Sequence, residues 1–197
     1  MDAIEEEYIP VNYADLEDGI NIIEAHQGAG KTHRINDLKG QSTIVVGSRR
    51  ELGNQLIERC SELHFAHYED LTEDQLHKHT NLFICYPSLH RLLNKPLHKH
   101  NFNNLVVDEA NIVWDSSFKW LPRLANNEMF HRLIRVVPRV IVVGAAIKDY
   151  ILKDLERIRS RYRKRYGEVY WDEEKEEQFI YNPMGLRVGE RYMDDKG

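Results

Sequence analysis

Ile20-Asn-Ile-Ile-Glu-Ala-His-Gln-Gly-Ala-Gly-Lys-Thr-His33 runs from an apolar strand straight into a glycine turn that ends Gly30-Lys31-Thr32. Glycine reaches backbone conformations closed to residues with a Cβ, so consecutive N–H groups from Gly28 to Lys31 can turn inward around one anion. A helix expected over residues 31–39 adds unpaired first-turn N–H groups and the positive end of its dipole. Lys31 is then placed to reach β- and γ-phosphate oxygens, and the Thr32 hydroxyl to hold Mg2+. The stretch reads as a nucleoside triphosphate site built from Ala25, His26, Gln27, Gly28, Ala29, Gly30, Lys31, Thr32 and His33. Ala25 stands where such loops usually open with glycine, a tolerated variant of the pattern.

A second element far along the chain makes a chance match less credible. Leu105-Val106-Val107-Asp108-Glu109 is a short apolar strand ending in two adjacent carboxylates. Strands buried in parallel sheets read as continuous apolar runs, and ligands gather at their carboxyl ends. Asp108 therefore stands where a Mg2+-coordinating carboxylate belongs, with Thr32 as its partner on the ion. Glu109 is placed to orient and deprotonate an attacking water. Lys31, Asp108 and Glu109 are the candidate catalytic set.

The chain has 197 residues, enough for one large domain but not for two complete α/β domains. Hydrophobic content of 42% and charged content of 30% are ordinary for a globular protein. No apolar run reaches membrane-spanning length, and the acidic start Met1-Asp-Ala-Ile-Glu-Glu-Glu is wrong for a secretory or mitochondrial leader. The expected location is intracellular, cytoplasmic or nuclear. Cys60 and Cys85 both lie in apolar segments and are expected as reduced core thiols. The net charge of −5 is uneven: residues 1–18 carry seven acids and no Lys or Arg, so the remainder sums to +2. That balance leaves a nucleic-acid partner open.

Working outward, Gly40 closes the first helix and Thr43–Val46 forms a strand. Ser48, with Glu51 three residues on, predicts a capping box for a helix over about 49–60. A short strand follows near Leu63–Ala66, then a polar section. Asn81–Cys85 reads as a buried strand leading into a helix that starts at Pro87 and Ser88. Residues 94–104 read as a loop, and 127–137 as a helix. Arg139–Val143 is a strand, and Ile147, Ile151, Leu155, Ile158 and Tyr162 mark one stripe of a long helix. This alternation predicts an α/β, three-layer P-loop NTPase fold with a mostly parallel sheet covered on both faces. The expected organisation is an acidic N-terminal arm over 1–18, a nucleotide-binding domain over 19–166 and a C-terminal extension over 167–197. Two strand-like runs in that extension, Val169–Trp171 and Phe179–Tyr181, have no place in the scheme.

Taken together, the segments across residues 20–147 resemble the first RecA-like domain of a superfamily 2 helicase. Ala25–Thr32 looks like motif I, and Ser48-Arg-Arg-Glu-Leu-Gly-Asn-Gln55 is similar to motif Ia. Asp108-Glu-Ala-Asn111 stands at motif II, and Gly144-Ala-Ala146 at the Ser-Ala-Thr of motif III. Within that superfamily the chain most resembles the replication origin-binding helicases of herpesviruses, other large DNA viruses and mobile elements, in which a Ser-Leu-His-Arg-Leu segment precedes the acidic motif. Ser88-Leu-His-Arg-Leu92 matches it. The resemblance implies ATP and Mg2+ as cofactors and a role in DNA replication. It implies nucleic acid, single-stranded DNA first, as partner, contacted by Arg49, Arg50, Ser88 and Arg91. The second RecA-like half that would bring arginine fingers to the γ-phosphate is not evident, so it is expected on another chain or a second copy, or as lost from this one. Arg157 to Arg165 includes six basic residues, none of which can be named as that finger from sequence.

Cations at the start of a helix oppose its dipole, which favours a phosphate-binding use of Arg49 and Arg50 over a solvated one. His77-Lys-His79 and His98-Lys-His100 lack the paired cysteines of a zinc site and are expected as solvated loop residues. Trp114 and Trp120 are expected to pack rather than stack on bases. Two other functions remain open: a nucleotide-binding module that serves a partner without turnover, and a P-loop phosphotransferase. The motif Ia and Ser88–Arg91 matches count against the latter.

Overall fold

The computed structural model describes residues 9–93, 102–118, 124–166, 168–172, 177–181 and 187–189; side chains from residue 160 onward lie outside that description, as do Trp120, His98 and His100. Six strands form one all-parallel sheet: β1 (Gly19–Glu24), β2 (Thr43–Gly47), β3 (Ala66–His67), β4 (Asn81–Cys85), β5 (Asn104–Val107) and β6 (Arg139–Gly144), in the order β1-β6-β5-β2-β4-β3. The central strands β2, β4 and β5 are buried almost throughout, which is why their sequences are unbroken apolar runs. At the margin, β1 alternates, with Ile23 buried and Ile22 37% exposed.

Between the strands run α1 (Arg50–Arg59), α2 (Glu73–Leu76), α3 (Ala110–Phe118), α4 (Leu124–Val136) and α5 (Asp149–Tyr166). Leu56 and Cys60 of the α1 region, Met129, Phe130, Leu133 and Ile134 of α4, and Ile151, Leu155 and Ile158 of α5 are buried against the sheet. Trp114 is fully enclosed on α3: its ring meets Phe130 edge-on and its indole N–H donates to Asp154 at 3.1 Å. Its use is packing, as expected. Cys60 and Cys85 are both free and buried. Burial pushes the Cys60 thiol up to about 11.

Several boundaries differ from the sequence reading. The first helix is not the nine-residue element expected over 31–39 but a 3-10 helix over His33–Leu38. The segment from Pro87 is likewise 3-10, over Tyr86–Leu92. The short third strand begins at Ala66, after a 3-10 turn at Ser61–Leu63. The polar section contains α2, started by a reciprocal capping box between Thr72 and Gln75. The helix expected at 49–60 starts at Arg50 with Arg49 in the cap position and no side chain capping it, so the Ser48–Glu51 box does not form. Of the segment 1–18 read as an arm, the described part lies against the domain, with Ile9 and Tyr13 buried. After α5, β7 (Glu168–Asp172), β8 (Glu177–Tyr181) and β9 (Arg187–Gly189) make an antiparallel sheet in the order β7-β8-β9. Its first two strands contain the runs that the sequence scheme could not place. Among the described residues, no helix is long and apolar enough to cross a membrane.

Candidate active site

Because every strand of the large sheet points the same way, each sequence motif emerges on one edge. The loop 25–32 follows β1, Ser48 and Arg49 follow β2, Pro87 and Ser88 follow β4, Asp108 and Glu109 follow β5, and Ala145 and Ala146 follow β6. The register seats neighbouring corners side by side. Val46 pairs with Val107, and the Asp108 N–H continues the ladder to the Val46 carbonyl at 3.1 Å.

The loop itself is shaped by positive φ at Gly28 (90°) and Gly30 (72°), conformations that a Cβ would strain. It is tied down from both sides. The Ala25 N–H donates to the Gly144 carbonyl at 3.1 Å, and the Ile9 N–H donates to the Ala29 carbonyl at 3.1 Å. Arg34 then grips the Ile9 carbonyl through Nε at 3.1 Å and Nη2 at 2.7 Å. The Lys31 ammonium bonds the carbonyls of Ala25 at 2.6 Å and His26 at 2.5 Å, at the mouth of the loop. Burial lowers the Lys31 pKa, and the nearby Asp108 opposes that shift. Six residues of 3-10 helix align fewer peptide dipoles than the helix expected, so anion attraction here rests chiefly on the loop N–H groups and Lys31.

Across from the loop, Thr32 Oγ1 donates to Asp108 Oδ2 at 3.4 Å. A hydroxyl and a carboxylate oxygen at this separation suit two neighbouring positions of an octahedral Mg2+, which are about 3 Å apart. The Asp108 carboxyl is deep enough that lost hydration raises its pKa, an effect strengthened by Glu109 and opposed by the Glu109 N–H, Thr32 and Lys31. A cation is the group that would relieve this. Glu109 follows in the left-handed region, φ 54°, one of two non-glycine residues so placed among those described. Its N–H donates to Asp108 Oδ1 at 2.9 Å, and its carboxylate accepts from Ser48 Oγ at 2.7 Å. Lys31, Thr32, Asp108 and Glu109 are thus brought together, while His26 and Gln27 remain exposed on the loop and His33 opens the 3-10 helix.

The expected nucleic-acid residues divide. Arg49 and Arg50 are exposed at the uncapped start of α1, and Arg50 Nε pairs with Glu69 at 3.0 Å. Ser88 is turned toward the Tyr68 phenol, which also meets Cys85. Arg91 faces inward: its Nη1 and Nη2 donate to the carbonyls of Tyr68, at 2.8 Å, and Leu71, and its guanidinium lies 5.7 Å from the Tyr68 ring centroid. That engagement fastens the 86–92 segment to the 68–71 turn. Two contacts escaped the sequence reading. Ser48 was read as a helix cap yet serves Glu109, because the helix begins one residue later. Asn111 donates to the Ala146 carbonyl at 2.5 Å and accepts from the Lys148 N–H at 3.3 Å, joining the motif II turn to the loop after β6.

No curated protein matches the chain. Among solved structures, a DEAD box protein from the hyperthermophile Methanococcus jannaschii superposes with a TM-score of 0.53 at 19% identity, over 72% of this chain and 43% of that one. The present chain therefore spans less than half the length of that protein, and the likeness shows the RecA-like fold. A family model described as "Origin of replication binding protein" matches residues 7–162, from beside the Ile9 strap to within α5. With the loop, the paired carboxylates and the Ser88–Leu92 segment all inside that span, the chain belongs to the origin of replication binding protein family.

Proposed function

We propose that this chain is the ATP-binding motor domain of a helicase-type protein acting on nucleic acid in DNA replication, completed by a second RecA-like half supplied by a further domain or another copy. The observation that carries this reading is the approach of Thr32 and Asp108 across the phosphate loop, within a chain of this family. In it, the N–H groups of Gly28 to Lys31 hold the phosphates of ATP, and Lys31 leaves the carbonyls of Ala25 and His26 for the γ-phosphate. Thr32 and Asp108 would hold Mg2+, which would supply positive charge against the phosphate oxygens. Glu109 orients a water and accepts its proton as the water attacks the γ-phosphorus, whose bond to the bridging oxygen breaks to release ADP and inorganic phosphate. Arg49 and Arg50, on the same edge, contact a single-stranded DNA backbone, a contact that depends on salt more than on base sequence.

The test is ATP hydrolysis by the purified chain with and without single-stranded DNA or RNA, beside Lys31→Ala and Glu109→Gln. Turnover stimulated by nucleic acid, abolished in Lys31→Ala and cut to a slow residual rate in Glu109→Gln, is the expected result. Nucleotide binding with no turnover under any of these conditions would replace this reading with a nucleotide-binding module that serves a partner. Phosphate transfer to a nucleoside acceptor would replace it with a phosphotransferase.

A further inference from the structure

Glu109 is held more closely than a water-activating carboxylate on a turn needs to be. Its backbone sits at φ 54°, its N–H is fixed on Asp108, and its carbonyl accepts from the N–H groups of Ile112 and Val113 at the start of α3. What fixes the carboxylate itself is Ser48, whose Oγ donates to Oε2 at 2.7 Å. The contact follows from topology. β2 and β5 are paired neighbours in register, so the residue just past the end of β2 lies beside the turn that follows β5. Among the described residues only Oε2 is engaged in this way, which leaves Oε1 for a water.

Ser48 also stands one residue before Arg49, at the corner that launches α1. The first N–H groups of that ten-residue helix have no side-chain cap, and Arg49 and Arg50 flank them in the open. We propose that Ser48 is a positioning residue for Glu109: it fixes the carboxylate that activates water and ties it to the strand-to-helix corner at the start of α1. This rests on the reading of Glu109 as the base.

Steady-state ATP hydrolysis is measured with saturating Mg2+, with and without single-stranded DNA, and DNA affinity is followed by fluorescence anisotropy. Ser48→Ala is expected to lower kcat about tenfold, the worth of one charge-assisted hydrogen bond. The KM for ATP and the DNA affinity stay within about twofold. Ser48→Thr, which keeps the hydroxyl, restores the rate. In the slow Glu109→Gln background, Ser48→Ala costs nothing further in single-turnover hydrolysis, because the carboxylate it serves has gone. A merely structural role would instead raise KM, lower the melting temperature and persist in that background, and any of these overturns the inference. If Glu109→Gln is slow while Ser48→Ala is as fast as wild type, this inference fails alone. If Glu109→Gln is as fast as wild type, the proposed role of Glu109 fails and takes Ser48 with it.

Discussion

Replacing Asp108 by Asn should make the protein more stable and useless at once. The carboxyl is buried beside Thr32 and Glu109, and its pKa is raised because burial penalises the charged form. Asn keeps the shape and both hydrogen bonds: its carbonyl accepts the Glu109 N–H, and its amide donates to the Thr32 hydroxyl. What disappears is a desolvated charge next to a second carboxylate, offset in part by the lost attraction to Lys31. Removing one desolvated charge from beside another carboxylate is worth about 1–2 kcal/mol on the scale of buried polar groups left short of partners, so Asp108→Asn should gain that much at pH 7.5. For a chain of 197 residues that is about 3–6 °C in melting temperature. The sign with pH is fixed by the direction of the shift. A carboxyl whose folded pKa is raised favours folding at pH values below its unfolded pKa, near 4, and loses that contribution as pH rises through the folded value. The advantage of the Asn variant should therefore vanish at about pH 3 and open as pH rises to neutrality. Thermal melts of both proteins from pH 3 to 8, with and without Mg2+ and ATP, test this. Wild type should gain from the added ligands and the variant should not. A variant that melts below wild type at pH 7.5 without Mg2+, or a difference independent of pH, would refute the reasoning.

Other consequences lie outside the catalytic pair. A Cβ on Gly53 would sit 2.3 Å from Phe83 Cδ1 and 2.7 Å from His67 Cδ2. Gly53→Ala should thus lose about 1–3 kcal/mol to overpacking against about 1 kcal/mol of helix propensity gained, read as a lower urea midpoint with an unchanged slope. Arg91→Met should cost about 1.5–3 kcal/mol through the released carbonyls of Tyr68 and Leu71, visible as a lower melting temperature. Arg49→Ala should leave the melt alone and reduce the salt slope of single-stranded DNA binding by about one unit. If Arg91→Met weakens DNA binding without touching stability, the division drawn between these arginines is wrong.

Where a pattern was long or chemically demanding, sequence and structure agree. The apolar runs Thr43–Val46, Asn81–Cys85 and Arg139–Val143 are buried strands because a sheet covered on both faces needs them so. The Thr32–Asp108 approach was legible from motif chemistry alone, although 76 residues separate the two. Local signals fared worse where a tertiary partner outbid them. Ser48 and Glu51 satisfy the capping-box spacing, but the hydroxyl meets Glu109 across the β2–β5 pair, a partner that no window around Ser48 contains. Arg91 looked like a phosphate ligand because its motif mates suggested it; the 68–71 turn that occupies it comes from an unremarkable polar stretch. The helix expected over 31–39 rests on the phosphate loop before it and Gly40 after it, and the one from Pro87 on apolar spacing; neither signal separates a 3-10 helix from an α-helix over so few residues.

The strap at Ile9 changes what counts as the phosphate-binding unit. A sequence pattern places its limits at Ala25 and Thr32, yet the loop's central carbonyl, on Ala29, is satisfied by an amide twenty residues upstream, and Arg34 secures that amide's own residue. Hydrogen bonds join the three segments into one unit, which is expected to open as one. Amide exchange at Ile9 is therefore a remote reporter of order in the loop, and transplanting residues 20–33 into another scaffold would carry the glycines across without the clasp that holds their shape.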